Sequence, residues 1–156
     1  QLSNNAHYLV STAPINALPS QYSYSIWLKT MTVNNSVISS QGTDANAYGT
    51  SINISSGNQV SASYSYYEYN YFNIDISGLL LDGNWHLLNI TRKDNAFKLY
   101  IDGVYHVSYS SSSSISSADN YPMYIGKGFT GKMDNLRVYN RELTQSEIME
   151  IFNAKQ

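Results

Sequence analysis

A chain of 156 residues, 42% of them hydrophobic, reads as one domain, 1–156, able to bury a two-layer core without staples. Its formal charge of -2, with only 13% charged residues, leaves no basic patch and excludes nucleic acid as an expected partner. The absence of cysteine excludes disulfides and thiolate metal sites, and no apolar run approaches the ~20 residues needed to insert across a membrane.

In chain order, Ala6 to Val10 reads as a first strand and Pro14 to Ser20 as a loop. Tyr22, Tyr24, Ile26 and Leu28 alternate on one face of the next strand, with Trp27 on the other, so both faces are apolar and the strand is central. Val33 to Ser39 continues as a strand, and Gln41 to Ala47 is a polar loop carrying Asp44 and Asn46. Tyr48, Thr50, Ile52 and Ile54 alternate up to a hairpin at Ser55-Ser56-Gly57-Asn58. Val60, Ala62, Tyr64 and Tyr66 form its return strand. Tyr67-Glu68-Tyr69-Asn70-Tyr71 breaks the alternation, which predicts a loop, and Phe72, Ile74 and Ile76 resume it.

From Trp85 to Ile90 the pattern again alternates roughly, and Phe97, Leu99 and Ile101 then share one face, opposite Lys98, Tyr100 and Asp102. Asp102-Gly103 supplies the positive φ of a two-residue turn, and Val104 to Val107 returns. Ser108 to Ser117 is a serine tract that reads as a connection. Thr144-Gln145-Ser146-Glu147 fits a capping box with Thr144 as N-cap, and Leu143 and Ile148 sit at the spacing of a hydrophobic staple. About a dozen short strands and one short C-terminal helix predict an all-β, antiparallel two-sheet sandwich or jelly roll. Trp27, Leu28, Trp85, Leu99, Ile101, Leu136 and Val138 are expected in or beside its core.

Several ordered blocks carry a resemblance. Trp85-His86 after a turn, Leu99-Tyr100-Ile101-Asp102-Gly103, and the run Phe129-Thr130-Gly131 through Asp134, Arg137-Val138-Tyr139-Asn140-Arg141 and Leu143 resemble the laminin G-like, concanavalin A-like jelly-roll family. Tyr24 to Lys29 is similar to that family's early core strand, and Ile38 to Gly42 to the strand and glycine that follow. The resemblance implies the jelly roll over nearly the whole chain. Function does not follow from it, because the fold serves sugar binding, adhesion, protein contact and, elsewhere, glycoside hydrolysis.

The hydrolase arrangement of paired carboxylates is missing. Glu142, Glu147 and Glu150 belong to the terminal turn and helix, and Glu68 has no acidic neighbour two or four residues away. His86 reads as structural, and no glycine pattern of a nucleophile elbow surrounds any serine. The expectation is therefore a non-enzymatic binding module. Strict alternation places Asp134 on one face with Leu136 and Val138. If that face is the core, its carboxylate needs a partner: a structural Ca²⁺ completed by N-terminal carbonyls, or backbone amides or Arg137. The resemblance implies the calcium, although similar chains often carry a second acidic residue where Asn135 stands.

Fifteen tyrosines and a surface rich in Ser and Asn suit an uncharged, hydroxyl-bearing ligand. The candidate contact residues are Tyr67, Glu68, Tyr69, Asn70 and Tyr71, where exposed rings would stack on a sugar. Asp44 and Asn46, and the turn at Asp119 and Asn120, are further polar rims. The expected partner is a glycan or a cell-surface protein, and the isolated domain is expected to be monomeric. A chain starting at Gln1 reads as part of a larger protein, secreted or on the cell surface.

Overall fold

The computed structural model describes residues 8–10, 20–33, 35–39, 51–63, 69–71, 75–110 and 123–154. In chain order these form β1 (Leu9–Val10), β2 (Gln21–Lys29), β3 (Asn35–Ser39), β4 (Ser51–Ile54), β5 (Val60–Ser63), β6 (Tyr69–Tyr71) and α1 (Ser77–Leu80). They continue as β7 (His86–Lys93), β8 (Ala96–Ile101), β9 (Val104–Ser110), β10 (Tyr124–Ile125), β11 (Lys132–Tyr139) and α2 (Gln145–Asn153). Two antiparallel sheets result, in the orders β1-β10-β3-β4-β5-β6 and β11-β2-β7-β8-β9. This is the jelly-roll sandwich that the alternation predicts.

The core lies between the sheets. Tyr22, Tyr24, Ile26 and Leu28 of β2, Leu88 and Ile90 of β7, and Phe97, Leu99 and Ile101 of β8 face Val37, Ile38, Ile52, Ile54, Val60 and Ala62 of the other sheet. The strands β2, β7 and β8 have period 2, so one set of side chains points inward and the other outward, whereas a register shift between Ser36 and Ile38 lets the consecutive Val37 and Ile38 of β3 both reach the core. In β2 the outward set is Ser23, Ser25 and Trp27. All three are nonetheless buried, because the C-terminal segment crosses that outer face. Trp27 stacks on Phe152 of α2, ring centroids 5.8 Å apart. Tyr100, Leu143 and Ile148 form a second small core there, with Tyr139 and Ile151 against it. Ser23 ties the crossing down: its hydroxyl donates to the Arg141 carbonyl at 2.8 Å and accepts from the Leu143 N–H at 2.9 Å.

Three expectations are corrected. First, β11 does not alternate strictly. Met133 and Asp134 pair with Leu28 and Trp27, and Arg137, Val138 and Tyr139 pair with Ser25, Tyr24 and Ser23, leaving one extra residue between. Asn135 takes φ 52° in this bulge, so alternation resets there. Asp134 therefore joins Trp27 on the outer face and is exposed, while Leu136 packs against the core. Val138 is 42% exposed on the edge strand rather than buried. Second, Ile76 does not extend a strand; it starts α1. The Asp75 carboxylate accepts the Ser77 N–H at 2.9 Å, and the Ile76 carbonyl accepts from Leu79 and Leu80. That local turn competes successfully with a ladder. Third, the serine tract begins as strand, since β9 runs to Ser110.

Candidate functional site

The tyrosine candidates divide. Tyr69, Asn70 and Tyr71 form β6, the last strand of the six-stranded sheet in its described part, paired with Ser63, Ala62 and Ser61. The predicted loop is thus a strand there: three residues found ladder partners that local pattern does not reveal. Tyr67, Glu68, Asp44, Asn46, Asp119 and Asn120 lie outside the described residues.

A different site stands on the outer face of the five-stranded sheet. Asp134 pairs with Trp27 and Trp27 with Leu87. The Asp102 N–H donates to the Leu87 carbonyl at 2.9 Å. One row of the sheet therefore runs Asp134, Trp27, Leu87, Asp102 across β11, β2, β7 and the turn after β8. Three inter-strand steps make it about 14 Å long. The last turn of α2 lies on one side of this row, and the Asp82-Gly83-Asn84-Trp85 turn is on the other. Two neighbouring hollows result, both lined by Trp27 and Trp85. One, of about 360 Å³, is completed by Asp102, Phe152 and Asn153. The other, of about 230 Å³, is completed by Asp134, Asn135, Arg137, Ile151 and Ala154. Trp27 is only 6% exposed and forms the floor, whereas Trp85 is half-buried and offers the accessible indole.

One imidazole bridges the wall that carries Trp85 to the turn after β8. His86 Nε2 lies 2.9 Å from Asp82 Oδ1 and Nδ1 lies 2.7 Å from Asp102 Oδ2. Asp102 Oδ1 also accepts the Leu87 N–H at 2.8 Å, and Asp82 accepts from Asn84 through both its backbone N–H and its side-chain amide. Burial disfavours the charged ring, but hydrogen bonds to Asp102 and Asp82 outweigh it and raise the His86 pKa above its ordinary value. The His86 bond in turn lowers the Asp82 carboxyl to about 2. Both ring nitrogens are thus engaged by carboxylates. Sequence alone signals this site only through Trp85, two residues after the Asp82-Gly83 pair, since Trp27 lies on a strand far from either Asp-Gly turn.

The calcium expectation meets a poor fit. The Asp134 carboxylate is exposed, accepts the Asn135 N–H at 2.8 Å, and shares its hollow with the Arg137 cation. Among the described residues no group of three or more His, Asp or Glu side chains could hold an ion. Ca²⁺ takes six to eight oxygens, so these residues do not build its cage. The N-terminal carbonyls expected to complete one lie outside the described residues.

A model of the concanavalin A-like lectin/glucanases superfamily matches residues 2–149. No curated protein matches the chain. Among solved structures, a tryptophan-to-alanine mutant of HCR/D is similar at TM-score 0.76 and 17% identity over 99% of this chain and 41% of that one. The botulinum neurotoxin serotype D binding domain is similar at TM-score 0.69 and 17% identity over 90% and 37%. The botulinum neurotoxin DC binding domain in complex with rat synaptotagmin II is similar at TM-score 0.69 and 19% identity over 90% and 37%. The chain thus spans about two fifths of these structures.

Proposed function

The chain belongs to the concanavalin A-like lectin/glucanases superfamily, and from that premise we propose that it is a non-catalytic module of a secreted or cell-surface protein that binds neutral glycans in the two-tryptophan trough. The observation that carries this reading is the composition of the trough. A half-open indole lies between a hollow that holds both Asp134 and the oppositely charged Arg137 at one end and Asp102, beside His86, at the other. Asn135 and Asn153 add amide donors and acceptors. An apolar floor with a few polar groups of balanced charge suits a polyhydroxylated, uncharged ligand with one apolar ring face.

The test is a glycan array read with the parent and with Trp85→Ala, Arg137→Ala and Asn153→Ala. Parent hits that fall at least tenfold in all three variants support the trough; tenfold is about 1.4 kcal/mol. Equal binding by every variant moves the site elsewhere, and the tyrosines at and before β6 are then next, through Tyr69→Ala and Tyr71→Ala. A blank array overturns the glycan reading. The protein-contact alternative rests on β9, an edge strand in the described part that exposes Val104, Tyr105 and Tyr109. Pull-down by the parent, lost on Tyr105→Ser, would favour it.

A further inference from the structure

We infer that His86 is a proton-operated latch on the trough: its charged ring holds the 82–85 turn and Trp85 against the sheet, and loss of one ring proton releases that wall. This rests on the trough being the contact surface, whose affinity the latch would then regulate.

The geometry is specific. Trp85 is covalently next to His86, and Asp82 stands at the start of the same turn. A doubly protonated imidazole has two N–H donors, and here each meets a carboxylate oxygen, at 2.9 Å and 2.7 Å. A neutral imidazole has one donor and one lone pair. With two carboxylates in place, the second contact then sets a lone pair against an anionic oxygen and must open. Asp82 and Asp102 are the only charged groups acting on the ring among the described residues, one from the 82–85 turn and one from the turn after β8.

Which contact opens follows from how each carboxylate is anchored. Asp102 is fixed to the sheet by the Leu87 N–H at 2.8 Å. Asp82 is held only within its own turn, by Asn84, and its side chain is the more exposed of the two, 38% against 31%. The remaining proton therefore stays on the Asp102 side and Asp82 lets go. The Gly83 N–H still reaches the Thr30 carbonyl at 3.2 Å, so the turn stays at the sheet and Trp85 shifts rather than detaching. Because the two carboxylates favour the charged ring, the latch stays closed through the ordinary histidine range and opens above it.

The chain has two tryptophans, so 5-fluorotryptophan labelling gives two ¹⁹F resonances, assigned with Trp85→Phe. We expect the Trp85 resonance to shift with a midpoint above about 6.5 that matches the His86 ring signals, while Trp27 stays constant. The shift should disappear in His86→Gln and in Asp82→Asn. Should His86→Gln disturb the Trp27 resonance, and so the fold, Asp82→Asn at its exposed position decides alone. A Trp85 resonance that stays flat while His86 titrates, or whose shift survives Asp82→Asn, overturns the latch. No ligand enters this readout, so it fails or stands independently of the glycan array.

Discussion

Individual ionisable residues set the pH range of this fold. Asp82 is lowered to about 2 by the His86 ring and then by Asn84. Glu147 is lowered to about 2 by Arg141, which grips it through both terminal guanidinium nitrogens at 2.8 Å and 2.6 Å, and then by the Thr144 N–H. A depressed carboxyl stabilises the fold fully above its unfolded value, here 3.8 and 4.5, and loses that contribution as pH falls toward 2. A raised histidine does the reverse: its contribution is whole below 6.5 and is lost as pH climbs through the folded value. Urea midpoints should therefore peak between about 4.5 and 6.5 and fall on both sides, the acid arm weakening in salt because both carboxylates reach solvent. A midpoint that keeps rising from pH 6.5 to 8 would contradict the His86 assignment. Asp134 marks the limit of residue-level reading. Its facing depended on Asn135 adopting positive φ, which a face-counting rule does not see.

At the scale of elements, α2 is the best-read piece, because its signals are local. Thr144 Oγ1 accepts the Glu147 N–H at 3.3 Å, and Glu147 accepts the Thr144 N–H at 2.8 Å, closing the capping box. Leu143 and Ile148 meet in the small core as the staple spacing predicts. Thr144→Ala should lower stability by about 1 kcal/mol, or about 2–4 °C in Tm for a chain of this size. A variant that melts with its parent would mean that Glu147, through Arg141, holds the helix start unaided. The helix is also positioned from outside: Gln145 donates its side-chain amide to the Gly103 carbonyl, and at φ 80° a Cβ on Gly103 would meet Met149 Sδ at 2.9 Å. The turn glycine thus serves the hairpin and the docking of α2 together. By contrast, β6 and α1 are not legible in the local pattern, since one depends on a distant partner strand and the other on an Asx turn at Asp75 that replaces a ladder.

For the molecule as a whole, an ion bound to the native state would stabilise every element together by mass action. With Asp134 exposed and its carboxylate on the Asn135 N–H, the melting temperature in a chelator should equal that in millimolar calcium. A clear rise with calcium would show a site that draws on residues besides the described ones. Composition and periodicity were sufficient to determine the class of this fold, the inward residues of β2 and β8, the hairpin at Asp102-Gly103 and the capped terminal helix, whereas the choice between Leu87 and Leu88 as the inward residue of β7 waited on the pairing with β2. Each depends on neighbours within a few positions, or on a period that one buried face imposes. The trough was decided only by tertiary structure. Its floor, walls and ends come from Trp27, Trp85, Phe152, Asp102 and Asp134, which are far apart in the chain and meet only because β11 pairs with β2 and α2 folds back over the outer face. A period of 2 says which residues leave the core, and the crossing of the C-terminal segment decides which of those are covered and which are left to meet a ligand.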